Sequence, residues 1–553
     1  MSNYTADKLV EDFKFIGLSP DDAVIAKCLE LCICYKLTEE ELVDVWAAFT
    51  ISHLKSAPPS LEGLDFLERR ELMKNKVVNT TNIANTVVQT PERKKPIKQA
   101  PKTPSVSSKS LTQTFNDSLT QDVSVDVSLS QVGNYADRAN AGKVVLTHGA
   151  DSKIQYTSCL NSAHVKLFGD ELQWMPPNVQ QMYCYMHKQR ECQAGITEYV
   201  AKIIAQKNNI NLEPFLERDA AESTYYGTIV CDGDGKLNKT SALLELTGGD
   251  YSNGEKIRLN LSQLASCALF PGQVAIVKGK LIKGTLQVTE LFNDASVAPV
   301  QKLETGSLQI IAASGPFTLK TNLLYEPLQD LLSSVISARP NVLILSGPFL
   351  DEDHNNISTM TESFDAFFST LIESIMAPLE GTNIQVVIVA SLRDVHHFAV
   401  FPTPAYTLLN KYPNLLLVPD PCMLDINGLH VAVTTADVLF NIGKEEFAFG
   451  AGGVDRMTRL SQYLLGQLSF YPLQSAESKM PIDYGLLEKY GLMETSPHVL
   501  IVPSNFRHFI KNISGCTVVN PERLVKGYAG GTYARLQVST AKELQISGEI
   551  INI

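Results

Sequence analysis

The sequence predicts a multidomain α+β protein: a small helical domain, a linker, a small β-barrel and a layered α/β domain. Three observations carry this. Residues 1–75 show apolar residues at helical spacing behind capping signals. Residues 220–295 break into short strands separated by turns. From about 305 onward, apolar strand-like runs alternate with helical stretches. At 553 residues the chain has room for roughly two to four domains, taking about 150 residues each.

The helical domain occupies 1–75. Ser19-Pro20-Asp21-Asp22 reads as a helix start, with Ser capping, Pro suited to the first turn and the acids suited to the positive end of the dipole. The helix it opens places Val24, Ile25, Cys28, Leu29 and Cys32 on one side. Thr38-Glu39-Glu40-Glu41 opens a second helix, with Leu42, Val45, Trp46 and Phe49 at helical spacing. These side chains form a core or, on a sharper reading, a groove for a partner peptide.

Residues 76–140 are rich in Thr, Ser, Asn, Gln, Lys and Pro and read as a disordered linker. Arg93-Lys94-Lys95-Pro96-Ile97-Lys98 is a short basic run, either a nuclear-localisation signal or an ordinary linker charge cluster. Thr90 and Thr103, each followed by Pro, flank it as candidate phosphorylation sites.

Residues 141–205 read as a connecting segment packed on the C-terminal body. It has a strand at 143–146 and a helix at 177–193 that carries Met182, Tyr183, Tyr185 and Met186 as packing residues. Between 206 and 300, strands at 224–231, 237–246, 256–261, 273–281 and 285–291 suggest a barrel of OB type, with a hairpin around Lys283-Gly284. OB barrels often stack single-stranded bases on aromatics in a basic groove. The strands here offer only Tyr225, Tyr226 and Phe292, and few basic residues.

The last domain spans 301–553. Its apolar runs at 308–313, 342–345, 386–389, 415–418, 430–433 and 499–502 suggest a layered sheet flanked by helices. Ligands gather at strand ends in such sheets. The first run ends Ala313-Ser314-Gly315-Pro316 and the second Gly347-Pro348-Phe349-Leu350-Asp351. The third ends Ala390-Ser391-Leu392-Arg393-Asp394 and the last Pro503-Ser504-Asn505-Phe506-Arg507-His508.

Composition limits the function classes. The chain is 44% hydrophobic and 19% charged, with formal net charge −12. A large acidic body repels phosphate backbones and disfavours general nucleic-acid binding. No secretory signal and no membrane-spanning run is seen. The ten cysteines form no Cys-x-x-Cys pair, and Cys28 and Cys32 read as reduced core thiols. His396-His397 point opposite ways on an extended chain and make a poor metal site. Gly450-Ala451-Gly452-Gly453 reads as a loop without a preceding strand.

The four strand ends, in order, resemble the metal-binding loops of calcineurin-like metallophosphoesterases, emptied of their ligands. Gly315 stands in the slot of the Asp-x-His motif. Pro348 takes the place of the bridging Asp in Gly-Asp-x-x-Asp, and Asp351 keeps the second acid. Leu392 and Arg393 replace Asn and His, Asp394 survives, and Asn505 and Arg507 occupy the Gly-His-x-His slot. Proline ligates nothing, and an arginine in a dication site is repelled. The resemblance thus implies an inactive phosphoesterase-like domain with no catalytic residue, metal or cofactor.

The phrases Ser391-Leu392-Arg393-Asp394-Val395-His396-His397, Leu416-Leu417-Val418-Pro419-Asp420-Pro421-Cys422 and the stretch 519–535, which includes Val519-Asn520-Pro521-Glu522-Arg523-Leu524, add a narrower likeness. With the domain order, they resemble the B subunits of eukaryotic replicative DNA polymerases, most nearly those of the DNA polymerase alpha–primase complex. That likeness implies a nuclear, non-catalytic scaffold for primer synthesis. It implies contacts with the zinc-bearing C-terminal domain of the catalytic subunit and with the primase subunits. Further replication factors would dock on the N-terminal domain, and DNA would be met only through the complex. The rivals are an active binuclear metallophosphoesterase with an aberrant site, for which Asp351, Asp394 and His508 speak, and a single-strand binder acting through the barrel.

Overall fold

A computed structural model describes residues 135, 138–149, 162–212, 222–233, 235–247, 254–299, 306–396, 398–450, 453–474, 480–539 and 544–553, and in the N-terminal region 9, 21–35, 42–43, 46, 63–64 and 67. The chain divides into two compact units, Met1–Val106 and Ser107–Ile553. Ser19, residues 38–41, the basic run at 93–98, Thr90, Thr103 and His397 lie outside the described residues.

In the first unit, helix α1 (Asp22–Tyr35) buries Val24, Ile25, Cys28, Leu31 and Cys32. This spacing of i, i+1, i+4, i+7 and i+8 makes one apolar stripe. The stripe joins Leu9, Leu42, Val43, Trp46, Leu64 and Leu67 in a single core. Burial pushes the Cys28 thiol up to about 12, so it is a packing group and not a nucleophile.

The second unit opens with strands β1 (Val144–His148) and β2 (Val165–Leu167), then helix α2 (Met186–Asn208). The helix expected over 177–193 begins nine residues late and continues through 205–206, where the sequence places a domain boundary. Upstream, backbone and side chains bond outward to the body. The Gln181 amide donates to the carbonyls of Val400 (3.1 Å) and Pro402 (2.7 Å). The Met182 N–H donates to Asp483 (2.6 Å), and Met182 itself has φ 61. An extended Tyr185 then starts the helix. The expectation that Met182, Tyr183, Tyr185 and Met186 pack inside is therefore wrong: all four are exposed.

Strands β3 (Glu222–Cys231), β4 (Ala242–Leu246), β5 (Lys256–Asn260), β6 (Cys267–Leu269), β7 (Val274–Ile282) and β8 (Thr285–Phe292) follow. Five of them close into a barrel in the order β3-β4-β5-β8-β7. The β7–β8 hairpin turns at Lys283 and Gly284, both with positive φ, as a two-residue turn matched to strand twist requires. Tyr225 is buried in the barrel, and Tyr226 and Phe292 pack against the body. None of the three is displayed for base stacking.

The body contains β9 (Ser307–Ser314), α3 (Glu326–Ala338), β10 (Val342–Ser346), α4 (Phe364–Met376), β11 (Gln385–Val389), β12 (Leu415–Val418), β13 (Cys422–Ile426), β14 (Leu429–Val433) and α5 (Val438–Glu445). Then come β15 (Phe447–Phe449), α6 (Arg456–Gly466), α7 (Tyr484–Tyr490), β16 (Val499–Ile501), β17 (Phe509–Ile513), β18 (Cys516–Asn520), the short pair β19 (Val525–Lys526) and β20 (Ala529–Gly530), β21 (Thr532–Ser539) and β22 (Gln545–Asn552).

These strands build two sheets rather than one. A seven-stranded sheet runs β1-β22-β21-β9-β10-β11-β12, and a six-stranded sheet β17-β18-β16-β14-β13-β2. Between the sheets, Ile310, Ala312, Ile344 and Val387 meet Leu424, Val431, Ile501 and Val519. The alternate residues Ile311, Leu343, Leu345 and Ile388 face α3 and α4. On the other side Ala432, Leu500 and Val518 face α5, α6, α2 and the barrel. Strands buried on both faces read as unbroken apolar runs, which is why sequence shows the strands but not their division into sheets. The three-residue β15 precedes Gly450, so the loop there does follow a strand, one that pairs with β6.

Candidate functional site

The ends of β9, β10 and β11 converge because these strands are parallel neighbours in register, with Ser314, Ser346 and Val389 level. The loops that follow are in near contact. A Cβ on Gly315 would lie 1.9 Å from the Pro348 carbonyl oxygen, so only glycine fits there. Gly347 is less tightly placed, with a Cβ there meeting the side chains of Ser391 at 2.7 Å, Asp394 at 2.8 Å and Tyr406 at 3.0 Å. Both Gly315-Pro316 and Gly347-Pro348 are cis.

Asp394 is the anchor of this end. It is buried, and its Oδ1 accepts from the N–H groups of Phe349 (2.7 Å) and Leu350 (2.6 Å). Its Oδ2 accepts from the Tyr406 hydroxyl. Burial pushes its carboxyl up to about 7, against the opposing pull of these hydrogen bonds. Asp351 forms a β-bridge with Asp394, and its carboxylate is ion-paired with the Arg393 guanidinium. Asp351 Oδ1 also accepts from the N–H of Asp353 at 3.0 Å. Both acids are thus committed, Asp394 to backbone and tyrosine, Asp351 to arginine.

A second cation sits deeper. Arg523 is buried, and its Nη1 donates to Ser314 Oγ at 3.0 Å. Its Nη2 lies 3.9 Å from Asp437. Burial lowers its pKa to about 10. Asp437, Asp351 and Asp420 favour its charge, and Arg393 opposes it. Asp437 caps α5 by accepting from Phe440 N–H (3.2 Å), and it also takes the Asn505 N–H (2.8 Å) and the Ser504 hydroxyl. Asp420 accepts from the N–H and hydroxyl of Thr435, and burial raises its pKa to about 6. His508 lies 3.3 Å from Glu522. Burial alone would raise Glu522, but His508 and Lys526 outweigh it and hold the carboxyl below its ordinary range.

The structure therefore brings Gly315, Pro348, Asp351, Arg393 and Asp394 together. It does not do so for Leu392, which turns into the apolar core shared with the barrel. Asn505 enters through its backbone, and its side chain and that of Arg507 are exposed. Sequence reasoning missed Arg523, Asp437, Asp420 and Tyr406. Arg523 and Asp420 lie inside the phrases singled out above, but no spacing rule marks a residue that reaches a strand end from more than 100 positions away. His396 is turned aside, stacked on Phe364 and 3.4 Å from Asp365. Among the described residues, no group of three or more His, Cys, Asp or Glu could hold a metal ion.

Arranged this way, the strand ends hold loops by paired charges and offer no open acid cluster. The chain is 31% identical to the DNA polymerase alpha B subunit of Drosophila melanogaster over 96% of both chains. The chain belongs to the DNA polymerase alpha B-subunit family. The rat member is 30% identical over 96% of this chain and 95% of its own. The Saccharomyces cerevisiae member is 26% identical over 62% and 57%. Three family models fall in matching order. The N-terminal model of the DNA polymerase alpha B subunit matches residues 7–74, and the OB-domain model of the same subunit matches 192–294. The model of the DNA polymerase alpha/epsilon B subunit matches 310–511. The last of these covers the strand ends that carry Pro348, Arg393 and Asp437. The OB match begins within α2, the helix that packs the barrel on the body.

Proposed function

We propose that this chain is the non-catalytic accessory subunit of a DNA polymerase alpha–primase complex, holding the catalytic subunit and its partners together for RNA–DNA primer synthesis. The observation that carries this is the likeness at 31% identity over 96% of both chains to a protein named as the B subunit of DNA polymerase alpha. The catalytic subunit's zinc-bearing C-terminal domain, the primase subunits and further replication factors at the N-terminal domain are the partners this reading assigns. DNA is met through the complex. The working compartment is the nucleus, and no helix among the described residues is long and apolar enough to cross a membrane. The domain limits 1–75, 76–140, 141–205, 206–300 and 301–553 and phosphorylation at Thr90 and Thr103 belong to the same reading.

The body reads as a phosphoesterase scaffold without its chemistry. Two packed sheets with helices outside, and ligand slots at parallel strand ends, support the scaffold. The Arg393–Asp351 ion pair and the buried Arg523 support the loss. Two fixed guanidinium groups stand where a two-metal site needs carboxylates free to bind cations about 3.5–4 Å apart. What remains is a rigid surface for binding. A permanent interface of this kind buries on the order of 2,000 Å² or more. Affinity capture of the tagged chain, with mass spectrometry, tests the reading. Recovery of a polymerase and two primase subunits is expected. Their absence, alongside manganese-dependent phosphodiester turnover, would overturn it.

A further inference from the structure

A pocket opens between the end of β2, the start of β13 and α7. Its floor is made by Met175, Pro419, Pro421, Cys422 and Phe470, all buried. Phe168, Trp174, Met423, Tyr490 and Leu492 form half-buried walls. Local bonds fix both sides. Asp170 caps the short turn Glu171–Gln173 by accepting from the Leu172 N–H (3.1 Å), and the Trp174 indole N–H donates to the Phe168 carbonyl at 3.0 Å. Opposite, the Phe470 N–H donates to the Gly491 carbonyl (3.0 Å) and the Met493 N–H to that of Leu468 (2.7 Å), which holds the chain after α7 against the floor. A pocket held in this way needs little ordering when a ligand enters.

Its interior suits an apolar ring. The indole N–H is spent on Phe168, and burial pushes the Cys422 thiol up, so it stays protonated and offers polarisable surface. The free space is about 90 Å³. An enclosed apolar cavity of about 150 Å³ accepts benzene, so this smaller pocket, open at its mouth, accepts one ring and no fused pair. The mouth is charged. Lys489 and Glu494 line it, both are exposed, and neither has an ion-pair partner among the described residues. The Lys489 ammonium lies 5.0 Å from the Tyr490 ring centroid and leaves its charge uncompensated. A net anion meets Glu494 here and a net cation meets Lys489, which disfavours both. A ligand that carries both charges satisfies the two together.

We propose that this pocket binds a small zwitterion with a single aromatic ring. The ring packs on Phe168, Trp174, Phe470 and Tyr490, the carboxylate meets Lys489 and the ammonium meets Glu494. Aromatic α-amino acids are the chemical class that fits. The site is separate from the assembly role proposed above and stands without it.

Tryptophan fluorescence of the full chain tests this, since Trp46 and Trp174 are its two tryptophans and Trp46 is buried in the core of the first unit. L-phenylalanine, the probe, is expected to change the emission saturably, with half-saturation on the order of 1 mM or below. The change should vanish in Trp174→Phe, whose emission reports Trp46 alone. Calorimetric titration should show roughly threefold or more weaker binding in Lys489→Ala and in Glu494→Ala, with thermal unfolding unchanged. N-acetyl-phenylalanine and phenylalanine amide, each lacking one charge, should bind the native chain more weakly by a similar factor. No saturable change up to about tenfold above that concentration would overturn the proposal. So would a change that survives Trp174→Phe. Equal binding of N-acetyl-phenylalanine amide, which has neither charge, would also overturn it and assign the pocket to an aromatic side chain of a partner protein.

Discussion

Arg523 shows how one buried residue can join two elements at the strand ends. Its guanidinium joins the end of β9, through Ser314, to the cap of α5, through Asp437. A buried charge costs free energy unless it is paired, and here each charge is the other's compensation. Changing Arg523→Met leaves Asp437 short of its countercharge at a largely enclosed position. A loss of about 3–5 kcal/mol in denaturant unfolding is expected, and a loss under 1 kcal/mol would show that Arg523 holds nothing. Asp394 makes a different prediction. Burial raises its folded pKa to about 7, above the unfolded value near 4. Between these values the folded state binds more protons than the unfolded one, so this group's contribution falls as pH rises from about 4 to about 7. Asp394→Asn keeps an acceptor for Phe349 and Leu350 and removes the titration. Its denaturation midpoint should fall less than the native one across that window. An identical slope in both proteins would refute the shift. The strand-end loops were legible in sequence because each follows an apolar run by a short distance. Arg523 was not, since its partners come from distant loops.

At the scale of elements, α2 joins barrel to body. Its buried positions are Cys192, Thr197, Val200, Ala201, Ile204 and Ala205; of these, Val200, Ala201, Ile204 and Ala205 pack into a core shared with Phe270, Val274 and Ile276 of the barrel side. Gln467 reinforces this contact, accepting from Val274 N–H (2.7 Å) and donating to the carbonyls of Val274 (3.1 Å) and Asn293 (2.9 Å). Ile204→Ala should cost about 2–5 kcal/mol by the apolar contact and cavity it leaves. Calorimetry should show the loss, and an unshifted transition would mean that α2 is peripheral. The barrel strands were readable because Lys283-Gly284 and the other turns punctuate a period of two. The start of α2 was not. Pro177 looks like a first-turn proline, while the bonds that keep 181–185 out of the helix come from residues 400–402 and 483. Local propensity there is overruled by tertiary contact.

At the scale of the molecule, the chain passes from one compact unit to the next at Val106–Ser107. The first has its own apolar core around Trp46, and the second contains barrel and sheets with their shared core. A unit with its own core folds without its neighbour, and a long connection lets it serve a second partner without altering the first contact. If the body is the tether for the catalytic subunit, a chain lacking residues 1–106 should still copurify with polymerase and primase subunits in equal amounts. It should lose only the partners recruited through the N-terminal unit. The reciprocal piece, residues 1–106 alone, should recover those partners and no polymerase. The readout is a comparison of the two capture lists by mass spectrometry. A polymerase that follows the N-terminal piece would move the tether to the first unit. It would also leave the charge-filled strand ends of the second without a role in assembly.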